Sequence, residues 1–203
     1  MDSVTQAVFG ATVAGVCAPA GYRGRALLAG AALGTLPDLD VFLDYGGVVE
    51  NFTYHRGFSH SLFVLAPVSL LIWLAVLGLW QPARAAPGRW LAVIGLALVT
   101  HPLLDAHTAY GTLLFWPIPV SPTSWSTLFI IDPLYTLPLI VGVIVAALRR
   151  HTRAAPAVLA ICLSISTVYM GWSWVARGLV AHEAKAAMLR AGLVDAPIFL
   201  TPT

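Results

Sequence analysis

Apolar residues gather into six segments, Ser3 to Val16, Gly24 to Leu36, Leu62 to Leu79, Trp90 to Leu104, Ile131 to Leu148 and Ala155 to Ala176, and each predicts a helix. A helix needs roughly 20 apolar residues to cross the hydrocarbon core of a bilayer unaided. The first two segments are shorter, so they are expected to be tilted, partly embedded, or buried by longer neighbours. Gln6 is the one strongly polar residue inside the first segment. In the fifth, Pro133 stands near the start and Pro138 predicts a kink. Gly30 and Gly34 form a G-x-x-x-G, the spacing that lets two membrane helices approach closely. Tyr110 to Trp125, with three prolines and two tryptophans, predicts an irregular loop at the interface. Beyond Arg177 the chain becomes polar enough to predict a short amphipathic helix on the outer surface.

Charges fall between these segments in two classes that alternate along the chain. The connections at 21–25, 80–89 and 149–154 hold Arg23, Arg25, Arg84, Arg89, Arg149, Arg150 and Arg153 and no acidic residue. Those at 37–61 and 105–131, with Asp132 at the next boundary, hold Asp38, Asp40, Asp44, Glu50, Asp105 and Asp132 against a single base, Arg56. The positive-inside rule then places the arginines in the cytoplasm and both termini outside, with all six segments crossing. It also brings Asp38, Asp40, His55, His60, His101, Asp105 and Asp132 to one level, the outer membrane–water boundary.

Composition supports that class. The 203 residues are 59% hydrophobic and only 10% charged, with a mean hydropathy of +0.83. Soluble domains carry about 25% charge, so an all-α integral membrane bundle of about six segments is expected, with the bilayer as its medium. A net charge of +2 gives no reason to invoke nucleic acid. Cys17 and Cys162 both lie in apolar segments and read as small buried hydrophobes, not a disulfide. The run Val16-Cys17-Ala18-Pro19-Ala20 imitates a cleavage site, but no Lys or Arg precedes Arg23, so the first segment is expected to stay as structure. Residues 1–176 are expected to form the membrane-embedded unit and 177–203 an amphipathic C-terminal segment.

The chemistry concentrates at His55-Arg56-Gly57-Phe58-Ser59-His60-Ser61, immediately before the apolar run that begins at Leu62. His101 and Asp105 are spaced i, i+4, so a helix presents them on one face. Asp38 and Asp40 follow Pro37, where a non-helical backbone can turn both carboxylates inwards. With Asp132 this is an inventory of imidazoles and carboxylates suited to Zn²⁺ or Mn²⁺ first and Fe²⁺ next, large enough for one or two ions. Structural alternatives stand beside it: Asp105 can face water, Asp132 can cap a helix, and Ser59 and Ser61 fit helix caps better than nucleophiles. Gln6 can orient a ligand or bond to another helix. Arg56 can pair with a carboxylate or present a planar fork to a substrate phosphate or carboxylate. His182-Glu183 lacks the second histidine of a zinc helix, since Ala186 stands there.

Met1-Asp2-Ser3-Val4-Thr5-Gln6, Leu36-Pro37-Asp38-Leu39-Asp40, His55 to Ser61, His101-Pro102-Leu103-Leu104-Asp105, Thr108-Ala109-Tyr110-Gly111 and Ile131-Asp132-Pro133-Leu134-Tyr135 occur in that order. In these the chain resembles the bacterial inner-membrane family of metal-dependent hydrolases, LexA-regulated and YdjM-like, over about residues 1 to 140. The resemblance implies a metal-assisted hydrolase in the plasma membrane, without naming a substrate. Family members carry a further polar C-terminal region, so a truncated 177–203 is one expectation. The site reading that follows has Asp38, Asp40, His55, His60, His101, Asp105 and Asp132 as ligands. Asp38, Arg56, His60 and Asp105 carry the reaction on a lipid or lipid-linked ester. A metal carrier or scaffold and a serine hydrolase using Ser59 or Ser61 are the alternatives.

Overall fold

A computed structural model describes residues 1–193 and 197–202, so the expected C-terminal segment lies partly, at 194–196 and Thr203, outside the described residues. The described chain is all-helical: α1 (Ser3–Cys17), α2 (Arg23–Thr35), α3 (Val48–Tyr54), α4 (Leu62–Leu79), α5 (Pro87–Asp105), α6 (Pro133–Leu148) and α7 (Ala155–Arg190). Tight 3₁₀ turns occupy Pro37–Phe42, Phe58–His60 and Gln81–Ala85.

Local chemistry sets several of these boundaries. Asp2 caps α1 by accepting from the amides of Val4 and Thr5. Ser61 does the same for α4 through Phe63, and Asp132 for α6 through Leu134 and Tyr135, ahead of Pro133 at the first helical position. Gly21, at φ +83°, takes the left-handed conformation that lets α1 turn back into α2.

Helix α1 is the centre of the bundle. It packs against α2, α5, α6 and α7, and it is buried over much of its length. A short first helix is therefore compatible with the membrane because the longer α5, α6 and α7 pack around it. The closest approach is to α2, where a Cβ on Gly10 would lie 2.3 Å from the carbonyl oxygen of Gly30 and 3.0 Å from Gly34 Cα. The G-x-x-x-G thus performs the packing expected of it.

Three helices, α4, α5 and α7, are long and apolar enough to cross a membrane, and α1 and α6 are shorter apolar helices. Helices α4 and α7 turn Leu70, Leu71, Ile161 and Val168 outward, the surface expected of a lipid-facing belt. The connections sort by charge in space as they do in sequence. Arg89 donates to the carbonyl of Ala18, Arg25 lies over the Trp80 ring, and the Arg150 side chain lies against Gly24, all at one end. Asp38, Asp40, His55, His60, His101 and Asp105 gather at the other.

Two expectations change in detail. The connection at 37–61 carries α3 and two 3₁₀ turns, so the backbone after Pro37, expected to be non-helical, is a tight 3₁₀ turn that brings Asp38 and Asp40 to the site. The polar tail expected as a separate short helix is continuous with the sixth segment, as a 36-residue helix through Arg190. Nothing between Ala176 and Arg190 interrupts the backbone ladder, so growing polarity does not mark where the helix ends.

Candidate metal centre

Three segments deliver the donors. The turn after α2 carries Asp38, the turn before α4 carries His60, and the last turn of α5 carries His101 and Asp105 on one face. His60, His101 and Asp105 are fully buried. One ligand atom from each of the four lies within 4.8 Å of all the others.

Hydrogen bonds fix how the imidazoles are presented. His101 Nδ1 lies 2.6 Å from the carbonyl oxygen of Gly34, which can only accept, so Nδ1 carries the proton and Nε2 offers its lone pair to the site. Ser59 donates its hydroxyl proton to Asp40 Oδ2. The hydroxyl oxygen of Ser59 is 2.9 Å from His60 Nδ1, which must therefore be the donor, and His60 Nε2 also offers a lone pair. The two Nε2 atoms face each other at 3.0 Å. Two acceptors at that distance need a cation between them, a proton or a metal ion.

The remaining distances decide how well a metal ion suits the place. Asp38 Oδ1 is 3.3 Å from His60 Nε2 and 3.4 Å from His101 Nε2, and Asp105 Oδ2 is 3.4 Å from His60 Nε2. Tetrahedral bonds of about 2.0–2.1 Å put ligand atoms roughly 3.3 Å apart. Asp105 Oδ2 is also buried without a hydrogen bond, although the Arg56 Nε is 3.2 Å away. Two imidazole nitrogens and two carboxylate oxygens, each imidazole backed through its other nitrogen, are the donor set and supporting layer of a transition-metal site.

Around this core sits a second layer. Asp40 accepts from the Arg56 amide at 3.1 Å and from Ser59, and pairs with His55 Nδ1 at 2.8 Å. Asp105 Oδ1 accepts from the Met1 ammonium group and from Gln6 Nε2 at 2.9 Å. Arg56 takes a left-handed backbone at φ 65°, reaches Thr108 Oγ1 at 3.3 Å, and lies 5.4 Å from the Tyr110 ring centre. A cavity of about 380 Å³, lined by His55, Arg56, Tyr110 and Leu113, opens beside it.

Titration follows from these contacts. Burial alone would raise the pKa of Asp38, but a proton held at the facing nitrogens of His101 and His60 in the metal-free protein outweighs it and holds the carboxyl well below the usual range. Asp40 is lowered against burial by His55 and Ser59. Burial disfavours protonated His60, yet the carboxylates of Asp105 and Asp38 prevail and raise its pKa above the ordinary value.

The sequence-predicted residues therefore divide. Asp38, His60, His101 and Asp105 converge. Asp40 and His55 stand one layer back, where their mutual contact occupies the facing oxygen and nitrogen. Asp132 does not join them: Oδ1 caps α6 and Oδ2 accepts from Tyr169 at 3.0 Å. Ser61 is also a cap, its hydroxyl donating to the Trp116 carbonyl. Sequence reasoning misses the parts played by the Gly34 carbonyl, the Met1 amine and Ser59 as a link between Asp40 and His60. A carbonyl and a terminal amine carry no side-chain signal, and Ser59 reads as a helix cap.

The profile of the YdjM inner membrane protein family matches residues 1–179. The chain belongs to that family. It is also similar to the inner membrane protein YbcI of Escherichia coli (strain K12), with 38% identity over 98 residues, 48% of this chain and 55% of that protein. The chain thus spans about half the length of this curated relative. No solved structure matches it. The family and the apolar helices make this an inner-membrane protein with a cluster of Asp and His residues able to bind a metal ion.

Proposed function

We propose that this chain is a metal-dependent hydrolase of the plasma membrane, acting at the outer face on a lipid or lipid-linked phosphoester. The observation that carries the reading is the pair of facing Nε2 lone pairs at 3.0 Å, closed on the remaining sides by Asp38 and Asp105. Asp38, His60 and His101 would hold a single ion, Zn²⁺ or Mn²⁺ first, with Asp105 left unligated as the general base. When bound, such an ion lowers the pKa of a water ligand from about 15.7 to about 7 and polarises the group to be cleaved.

The protein's own residues supply the rest. Ser59 and the Gly34 carbonyl keep both imidazoles in the tautomer that faces the site. Arg56, braced by Tyr110 and Thr108, lines the adjacent cavity and offers a fork to an anionic substrate oxygen. Asp105, between Arg56 and the imidazoles, can hold a proton from the attacking group. With six crossings and the arginine end in the cytoplasm, the cavity opens where outer-leaflet headgroups lie.

Elemental analysis tests the centre. The wild type should carry about one equivalent of a transition metal, and His60→Ala and His101→Ala should each lose it. The loaded wild type should then hydrolyse a lipid phosphoester, and Arg56→Lys should raise KM while keeping the metal. Absence of bound metal after supplying Zn²⁺ and Mn²⁺ would remove the reading. Bound metal with no phosphoester cleavage would leave a metal carrier or scaffold.

A further inference from the structure

From the arginine-bearing end a second cavity of about 560 Å³ runs between α2 and α6. Its floor is Ala7 and Ala11 of α1, its walls include Ala31 of α2 and Ala147 of α6, and Arg25 and Arg150 stand at its mouth. At 1.5 Å per residue the 13 residues of α2 span about 20 Å and the 16 of α6 about 24 Å. Both fall short of a hydrocarbon core of about 30 Å. Two short helices lie side by side on this face, so Arg25 and Arg150 are drawn below the level that longer helices would give them.

These guanidinium groups have no anionic partner among the described residues. The connections at 21–25, 80–89 and 149–154 contain no Asp or Glu, and among the described residues no ion pair involves Arg25 or Arg150. Arg25 lies 5.2 Å from the Trp80 ring centre, which orients it without neutralising it. Arg150 lies across Gly24, where an added Cβ would come within 3.1 Å of its Cδ, so the two cations share the start of α2. That helix begins with no side-chain cap, leaving its first amides and the positive end of its dipole at the same place.

We propose that this groove binds an anionic phospholipid, with the acyl chain along α1 and the phosphate held between Arg25 and Arg150. The apolar floor distinguishes a phospholipid from a soluble phosphate, and the unpaired arginines distinguish an anionic headgroup from a zwitterionic one. Small side chains at Ala7, Ala11, Ala31 and Ala147 leave the acyl chain's width free. The arginine pair lies at the opposite end of the bundle from the metal centre, and the proposal does not depend on that centre.

The test is native mass spectrometry of the full chain, released from detergent after incubation with equal amounts of phosphatidylglycerol and phosphatidylcholine of the same chain length. The wild type should retain phosphatidylglycerol with a preference of roughly tenfold or more. Arg25→Gln combined with Arg150→Gln should bring the preference close to parity while metal content stays unchanged. Ala31→Phe, with both arginines present, should fill the groove and reduce retained phosphatidylglycerol. Equal retention of both lipids by the wild type, or a preference that survives both variants, would overturn the proposal.

Discussion

Ser59→Ala isolates one hydrogen bond on which the metal centre depends. In the folded protein the Ser59 hydroxyl gives its proton to Asp40 and takes one from His60 Nδ1 at 2.9 Å. Without the hydroxyl, the nearest oxygen of Asp40 is 3.8 Å from that nitrogen, beyond hydrogen-bond reach, and His60 is fully buried so water does not replace it. The imidazole then has no acceptor for its Nδ1 proton and no fixed tautomer. Loss of such a supporting bond lowers metal affinity by about 10- to 100-fold, or about 1.4–2.7 kcal/mol. Competition against a fluorescent zinc chelator in detergent micelles would measure it. Ser61→Ala is the control, since it removes the α4 cap and the bond to the Trp116 carbonyl but no contact to the donors, and should cost about 0.5–2 kcal/mol of stability with affinity retained. If Ser59→Ala binds metal within twofold of wild type, the tautomer argument fails. If it also abolishes hydrolysis per bound metal, a serine mechanism takes its place.

Three further outcomes follow from the same geometry. Asp132→Ala should lower stability by about 0.5–2 kcal/mol through loss of the α6 cap, with metal content unchanged; thermal melting beside elemental analysis checks both halves. Gly10→Ala should cost about 1–3 kcal/mol by driving a methyl into the Gly30 carbonyl, and it should weaken metal binding because Gly34, on the same helix as Gly30, orients His101. The stabilisation conferred by metal should grow as pH rises. In the metal-free protein the raised pKa of His60 means that its proton stabilises the fold below the ordinary value and is lost on passing the raised one. The metal competes for the same lone pair and prevails as that proton leaves. Melting temperatures with and without metal across the range below and above neutrality would show it, and a constant difference would contradict it.

How much of the fold and of the site is legible in the sequence depends on the range of the interaction concerned. Leu62 to Leu79 is helical to the residue, because a run of that length and hydropathy has no competing fold. His101 and Asp105 share a face because four residues make about one helical turn. Asp132 shows the limit. An aspartate before a proline at a helix start fits both a cap and an outward ligand, and only the position of Tyr169 and the first-turn amides separates them. Charge and spacing place Asp40 and His55 near the site, but they cannot show that the two residues satisfy each other. The Gly34 carbonyl can be located only once Gly10 has fixed the distance between α1 and α2.

The donors belong to two stretches of very different character. His101 and Asp105 stand on a packed helix, whereas Asp38 and His60 bracket an excursion that leaves Phe42 and Val48 more than four-fifths exposed. An ion gripped by both would tie Asp38 and His60, 22 positions apart at the two ends of the excursion, to the packed helix, a reversible cross-link where other proteins use a covalent one. Its removal would free the excursion while the helices below stay packed. Protease sensitivity between residues 42 and 58 would then report metal supply directly, and the lifetime of the protein in a metal-starved cell would be set by how often that stretch lifts away.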